Sequence, residues 1–139
     1  MKEETSNISK NIKNIDKKEI LNKRESNLIY NIEYISEFKD GNFYIISSKY
    51  GELVYDKPEL IKMKKVTAII NLNNSNPITI FADNATYDNV NYNTSFYGNV
   101  IMSYNEHSTN SDNLDLLFKK NLATLSNNII YKNLNTKLK

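Results

Sequence analysis

ITIFADNATYDNVNYNTSFYGNVIMSY, residues 78 to 104, holds a complete pattern that recurs more faintly on both sides of it. It reads as strand, tight corner, strand, loop, strand. Ile78, Ile80 and Ala82 alternate with Thr79, Phe81 and Asp83, the two-residue period of a strand with one buried face. Asp83-Asn84 predicts a corner, because both side chains cap local backbone groups and tolerate left-handed dihedrals. Ala85 and Tyr87 then resume an inward phase, Asp88 to Asn93 is a polar loop, and Phe96, Gly98, Val100 and Met102 form one face of a longer strand. Gly98-Asn99 inside that strand predicts a bulge or bend.

Sliding this unit along the chain preserves its internal spacing. Asp83 stands as far from Val100 as Asp112 does from Ile129, and as Lys49 does from Val66. A single offset carries Ala82-Asp83, Ala85, Tyr87, Phe96 and Asn99-Val100 onto Ser111-Asp112, Leu114, Leu116, Leu125 and Asn128-Ile129. In the other direction, a second offset carries Ile78, Ile80, Ala82-Asp83, Val100 and Met102 back onto Tyr44, Ile46, Ser48-Lys49, Val66 and Ala68. Three copies of one unit follow, with chance matching in an Asn- and Ile-rich chain as the rival explanation. Repeats of this length made of short strands predict a stacked β structure in which each unit buries its apolar face against its neighbours. Lys62 stands where Phe96 and Leu125 stand in the other copies, with Met63 beside it, so the first copy is expected to carry a shifted register or a bulge.

The 139 residues suit one domain, and 40% hydrophobic residues with ten Tyr and five Phe suffice for a core that a mean hydropathy of -0.58 marks as thin. A net charge of +2 argues for neither nucleic acid nor an acidic partner. With no cysteine there is no disulfide and no thiolate metal site. Asn occurs 24 times against three Gly, so Asn is expected to supply many of the turns.

Residues 1–27 differ from the rest, with seven Lys/Arg and five Asp/Glu around sparse apolar side chains. They read as a polar tail or linker, in which Ile8, Ile12 and Ile15 at helical spacing offer at most a weak amphipathic turn. No apolar run long enough to span a bilayer occurs, and the N-terminus lacks the apolar core of a signal peptide. Residues 28–139 read as the β domain. Leu28 to Ser36 and Phe43 to Ser48, joined through Gly41, predict a hairpin. Tyr50-Gly51-Glu52 is expected to turn the chain into Leu53 to Tyr55, and Lys57-Pro58 to interrupt the ladder. Glu59 to Leu72 is a long strand, or two joined by a bulge, closed by the loop Asn73 to Pro77, and Leu114 to Phe118 with Leu122 to Tyr131 completes the third copy.

Reactive constellations are scarce. His107 is the only histidine and has no nucleophile motif beside it, which leaves it as a solvated loop or edge residue. Asp83, Asp88, Asp112 and Asp115 fall at corners of the repeat, where local capping competes with paired-carboxylate chemistry. Tyr92, Tyr97 and Tyr104 lack the basic groove that base stacking would need. No metal or cofactor is expected and the chain does not read as an enzyme. What remains is an apolar face. If Tyr44, Ile46, Ile78, Ile80, Ala82, Tyr87, Phe96, Val100, Met102, Leu116, Leu125 and Ile129 all point inward, two stacked sheets enclose a slot lined by aliphatic and aromatic groups. Each such side chain contributes roughly 1.5–3 kcal/mol when buried, against its own core or against a hydrocarbon ligand alike. A structural or adhesive β-solenoid with a sealed core is therefore the alternative to a lipid-binding slot, and a carbohydrate-active enzyme stands third.

Ile80-Phe81-Ala82-Asp83-Asn84-Ala85-Thr86-Tyr87-Asp88 followed by Phe96-Tyr97-Gly98-Asn99-Val100 resembles the repeat of the OstA-like family, and the arrangement resembles LptC-like members most. Tyr44-Ile45-Ile46-Ser47-Ser48-Lys49-Tyr50-Gly51-Glu52, the Tyr55-Asp56 and Pro58 stretch, and Asn76-Pro77 belong to the same likeness, which covers Leu28 to Tyr131. The resemblance implies an open β-jellyroll in the periplasm that takes lipopolysaccharide from an inner-membrane transporter of LptB-, LptF- and LptG-like proteins. It further implies that the acyl chains sit in the apolar slot and pass to an LptA-like protein, with strand edges available for edge-to-edge association. LptC-like proteins also begin with a transmembrane helix and continue with further strands, so the chain is expected to be a fragment, incomplete at its C-terminus and tethered to the inner membrane by a helix it does not include.

Overall fold

The computed structural model describes residues 28–134. The polar tail read over residues 1–27, with Ile8, Ile12 and Ile15, lies outside the described residues. The fold is all-β: β1 (Leu28–Glu37), β2 (Phe43–Val54), β3 (Lys57–Asn71), β4 (Ile78–Asp88), β5 (Thr94–Tyr104), β6 (His107–Leu117), β7 (Leu122–Ser126) and β8 (Ile130–Asn133). They form one open antiparallel sheet in chain order, with β7 and β8 both paired to β6. The described helical structure is a single 3-10 turn, Phe118–Lys120.

Asn does much of the turning. Of nine non-glycine residues at positive φ among the described residues, seven are Asn, including Asn74, Asn105 and Asn121 between strands. The amide side chain is one of the few that tolerates this region without a large steric cost. The first hairpin closes through Gly41 at φ +93, with the Asn42 amide donating to Asp40 Oδ1 at 3.1 Å.

The strands do not break at the expected corners; they bend together along one line. The inward phase, two residues per step elsewhere, advances by three at Ile29 to Ile32, Ser48 to Gly51, Met63 to Val66, Ala82 to Ala85 and Ser111 to Leu114, all buried. In β5 the same passage runs from Phe96 to Val100, because Gly98 at φ +88 and Asn99 at φ +48 insert a bulge. Asp83-Asn84 is thus a bend within an unbroken β4, not a corner between two strands. β7 and β8 are the two halves of one strand bent at Asn127 and Asn128, which have φ +68 and +52.

The bend is where the repeat becomes physical. Asn99 Nδ2 donates to Asp83 Oδ2 at 2.8 Å, and in the next copy Asn128 Nδ2 donates to Asp112 Oδ2 at 2.7 Å. Ser48 Oγ and Ser111 Oγ each donate to the carbonyl two residues on, at 2.9 Å in both cases. In the first copy Lys65 takes the place of Asn99 and lies at φ +59. The expected register shift there is also present: Met63, opposite Gly51 and Ala85, faces inward in the position of Phe96, and Lys62 faces out.

Gly51 is not a turn. β2 passes straight through it, paired with Ile29 on one side and Met63 on the other. A side chain there is excluded by packing, since a Cβ would lie 1.9 Å from Ile32 Cδ1. The turn comes later, at Tyr55-Asp56. Val54 pairs with Lys57 and Leu53 with Ile61, so Pro58, Glu59 and Leu60 leave the β2 ladder, as a residue without an N–H donor requires.

Bending every strand at one line folds the sheet into two layers. The first contains residues 32–37, 43–48, 66–71, 78–82, 100–104, 107–111 and 130–133; the second contains the other half of each strand. Tyr44 and Thr94 lie on opposite sides of the bend, and in a flat sheet they would stand roughly 30 Å apart along the strands. Instead Tyr44 Oη and Thr94 Oγ1 share a 2.6 Å hydrogen bond, and the Tyr44 ring stacks on Phe118 at 5.0 Å between centroids. The expected pair of stacked sheets is therefore one sheet folded on itself, jellyroll-like and not closed into a barrel.

Candidate functional site

Residues directly opposite one another in an antiparallel ladder share a face, so the interior can be followed across the sheet in rows. In the second layer Ile29, Gly51, Met63, Ala85, Phe96 and Leu114 form one row, all buried, and the row ends on the partly buried Leu125. In the first layer Ile46, Ala68 and Ile80 are buried, Met102 and Thr109 partly so, and the row ends on Tyr131 at 56% exposure. The space between the layers is closed beside β1 and opens beside β7 and β8. No further strand lies over the inner side of that last bent strand among the described residues.

An apolar cavity of about 90 Å³ occupies this opening. Ile70, Leu72, Ile78, Ile80 and Met102 line it from the first layer and Leu116, Phe118, Leu122 and Ala123 from the other, with Asn121 at the rim. The wall offers water few polar partners, the condition under which a cavity stays dry and accepts an apolar guest.

The twelve residues singled out from the sequence divide by depth. Ile78, Ile80, Met102 and Leu116 line the cavity. Tyr44, Ile46, Ala82, Tyr87, Phe96 and Val100 lie in the closed part, where the layers already fill the space with each other's side chains. Leu125 packs against this core from its edge. Ile129 does not join it: it is 52% exposed in the link between β7 and β8, because its strand is the last of the sheet. Ile70, Phe118 and Leu122 belong to the cavity wall but not to those twelve. Phe118 is readable in the sequence as the continuation of Leu114 and Leu116 at the two-residue period.

The closed part is a set of aromatic contacts. Tyr87 lies 5.0 Å from Tyr34 and 6.0 Å from Tyr44, and Phe38 lies 5.1 Å from Phe118 and 5.5 Å from Tyr92, all between ring centroids. Burial pushes the Tyr87 hydroxyl up to about 12, against a hydrogen bond with Ser36 that lowers it and nearby Tyr34, Tyr92 and Asp88 charges that raise it further. Burial also raises Tyr44 and Tyr34, each opposed by a hydrogen bond, to Thr94 and Asn89 respectively. These phenols stay neutral at physiological pH, so the interior carries no charge from them.

Three of the four aspartates singled out from the sequence hold local geometry, and the fourth, Asp115, is exposed within β6 and not at a corner. Asp83 and Asp112 hold the bend asparagines, and Asp88 Oδ1 accepts from the Val90 and Asn91 amides at 2.8 and 3.2 Å. Among the described residues no three His, Asp or Glu side chains gather to hold a metal ion. His107 is exposed at the start of β6, a strand residue and not a loop one, and its Nδ1 meets the Tyr131 hydroxyl with the rings stacked. Tyr92, Tyr97 and Tyr104 form no common platform: Tyr92 packs on Phe38 beneath Lys119, while Tyr97 and Tyr104 stand on opposite sides of the bend. No described helix is long and apolar enough to cross a membrane. No protein-family model matches the chain, and no curated protein matches it either.

Proposed function

We propose that this chain is an LptC-like, OstA-like conduit for lipopolysaccharide in the periplasm, which holds lipid acyl chains between the two layers of its folded sheet. The observation that carries this reading is the one-sided opening: an apolar interior, sealed beside β1, ends beside β7 and β8 in a cavity of about 90 Å³ walled by Ile70, Ile78, Ile80, Met102, Leu116 and Phe118. Such a site binds through apolar contact alone and requires no catalytic group or cofactor. An acyl chain would enter at the cavity and advance by displacing the partly buried Met102 and Leu125, which sit at the margin of the core. An inner-membrane transporter of LptB-, LptF- and LptG-like proteins would supply the lipid and an LptA-like protein would receive it. The outer edges of β1 and of β7 and β8, which no other strand among the described residues pairs with, offer backbone groups to which such partners, or a second copy, can add a strand.

A sealed structural β-solenoid is the second reading, and a specific observation favours it. Tyr44, Tyr87, Phe96, Ile61, Met63 and Leu114 are each less than 2% exposed, so most of the interior is occupied by the protein itself. The two readings part at the cavity. Met102→Arg would place a charge in the proposed acyl path, and Ile101→Arg would place one on the outer face of the neighbouring position. Co-elution of purified lipopolysaccharide with the wild type and Ile101→Arg, but not with Met102→Arg, is the expected result. Absence of co-elution with folded wild-type protein would leave the sealed solenoid.

A further inference from the structure

The outer side of the bend is the same in two copies of the repeat and different in the first. Where the second and third copies place Asp83 with Asn99 and Asp112 with Asn128, the first places Lys49 with Lys65. The register sets these lysines against each other, because Ser48 pairs with Val66 and Tyr50 with Lys64 on either side of them. Both are exposed on the outer face. Like charges directly opposite on neighbouring strands are unfavourable. Lys65 also sits at φ +59, a conformation in which Asn is accepted and a long unbranched side chain gains nothing locally. Two local penalties fall on one position that the repeat solves without penalty twice over, the kind of outlier from which a binding role follows.

The surroundings supply the rest. Lys49 and Lys65 border an open hollow with Asn31, Glu33, Ser47 and Thr67, and no carboxylate among the described residues forms an ion pair with either lysine. Glu33 is the one acidic group lining the hollow, and its charge opposes an anion there, so the two lysines must outweigh it. Lys64, next in sequence, is engaged by Asn84 Oδ1 at 3.2 Å. We propose that Lys49 and Lys65 form a site for a phosphate group, carried by a lipid headgroup or by a soluble phosphoanion. A phosphate brings up to two negative charges and several acceptor oxygens to the two opposed lysines, with the Thr67 hydroxyl, two residues from Lys65, as a neutral donor; the Ser47 hydroxyl already donates to the Thr67 carbonyl at 3.4 Å. The site lies on the outer surface and does not depend on the slot.

The test uses the full chain and the variant Lys49→Asp/Lys65→Asn, which installs the pairing that the other two copies already use and is expected to fold at least as stably as the wild type. Backbone and lysine side-chain resonances are followed during titration with inorganic phosphate at constant ionic strength, with sodium chloride as the comparison. Saturable shifts at residues 47–49 and 65–67, weakened at least tenfold in the double variant and unchanged in Lys119→Ala/Lys120→Ala, are expected. Shifts that do not saturate, that chloride reproduces, or that persist in the double variant overturn the site. Sedimentation with phosphatidylcholine vesicles, with and without phosphatidic acid, separates the sources. Capture only by the acid-containing vesicles assigns a headgroup, and phosphate shifts without capture assign a soluble phosphoanion. Neither titration contains lipopolysaccharide, so failure here leaves the conduit reading untouched and the converse holds as well.

Discussion

Gly51→Ala probes a close approach in the fold, the contact by which β1 and β2 press together across the bend. A methyl group on Gly51 would lie 1.9 Å from Ile32 Cδ1 and 3.3 Å from Ile32 Cγ1. Ile32 is 2% exposed, so its side chain must shift to admit the methyl group. Overpacking of this kind costs about 1–3 kcal/mol. The loss of glycine's freedom in the unfolded chain returns about 0.4–1 kcal/mol, so a net destabilisation near 1–2 kcal/mol is expected. Ile32→Val removes the clashing Cδ1 and alone costs about 0.5–1.5 kcal/mol. If the clash is the cause, the double variant should be about 1 kcal/mol or more better than the sum of the two. Urea unfolding measures this directly, as midpoint shifts at constant slope. Strictly additive costs, or a Gly51→Ala protein as stable as the wild type, would refute the assignment of Gly51 to close packing.

Other perturbations test the bend, the buried hydroxyls and the pH response. Asn128→Ala removes the donor to Asp112 and should cost about 1 kcal/mol, with faster hydrogen exchange at the Asp112 amide, which bonds to Asn127 at 2.9 Å. Thr94→Val takes away the partner of the buried Tyr44 hydroxyl and should cost about 1–3 kcal/mol; Tyr44→Phe, which leaves Thr94 Oγ1 its bond to the Tyr92 carbonyl, should cost less. At alkaline pH the folded state holds the Tyr87 proton up to about 12 while the unfolded chain releases it near the ordinary value of 10.0, so the folded state binds more protons in between. Stability should therefore be insensitive to this group below pH 10 and fall as pH rises from there towards 12, by up to about 1.4 kcal/mol per pH unit for each such tyrosine. Tyr87→Phe should flatten that decline in urea midpoints, and an unchanged slope would count against it.

Most of the strand order is legible because the interior is apolar and the outside is not, so the two-residue period survives in Ile78, Ile80, Ala82 and in Phe96, Val100, Met102. The repeat is legible because its fixed points are the bend residues, where Asp83 with Asn99 and Asp112 with Asn128 make the same hydrogen bond. How the bend is made cannot be read the same way. Asp83-Asn84 looks the same in a corner as in a strand whose inward phase slips by one residue, and only the pairing of both flanks with β3 distinguishes them. Gly51 misleads for a related reason: glycine marks a turn and a close approach equally well, and Ile32, which decides between them, lies on the neighbouring strand beyond the first hairpin. Ile129 carries the inward pattern of Val100, yet burial depends on what lies beyond a strand, which periodicity does not report. The division of the apolar face into closed core and open cavity is likewise hidden, since Phe96 and Met102 obey one pattern on one strand, equally far from the open edge, and only Met102 borders the cavity.

Entry of an acyl chain between the layers at the cavity is open to photo-crosslinking from single positions. A photoreactive residue at Met102 faces the cavity, and the same residue at Ile101 faces outward. With lipopolysaccharide present during illumination, adducts at 102 and none at 101 are the expected outcome. Adducts at neither position in folded protein, or equal yields at both, would contradict a lipid path through the slot.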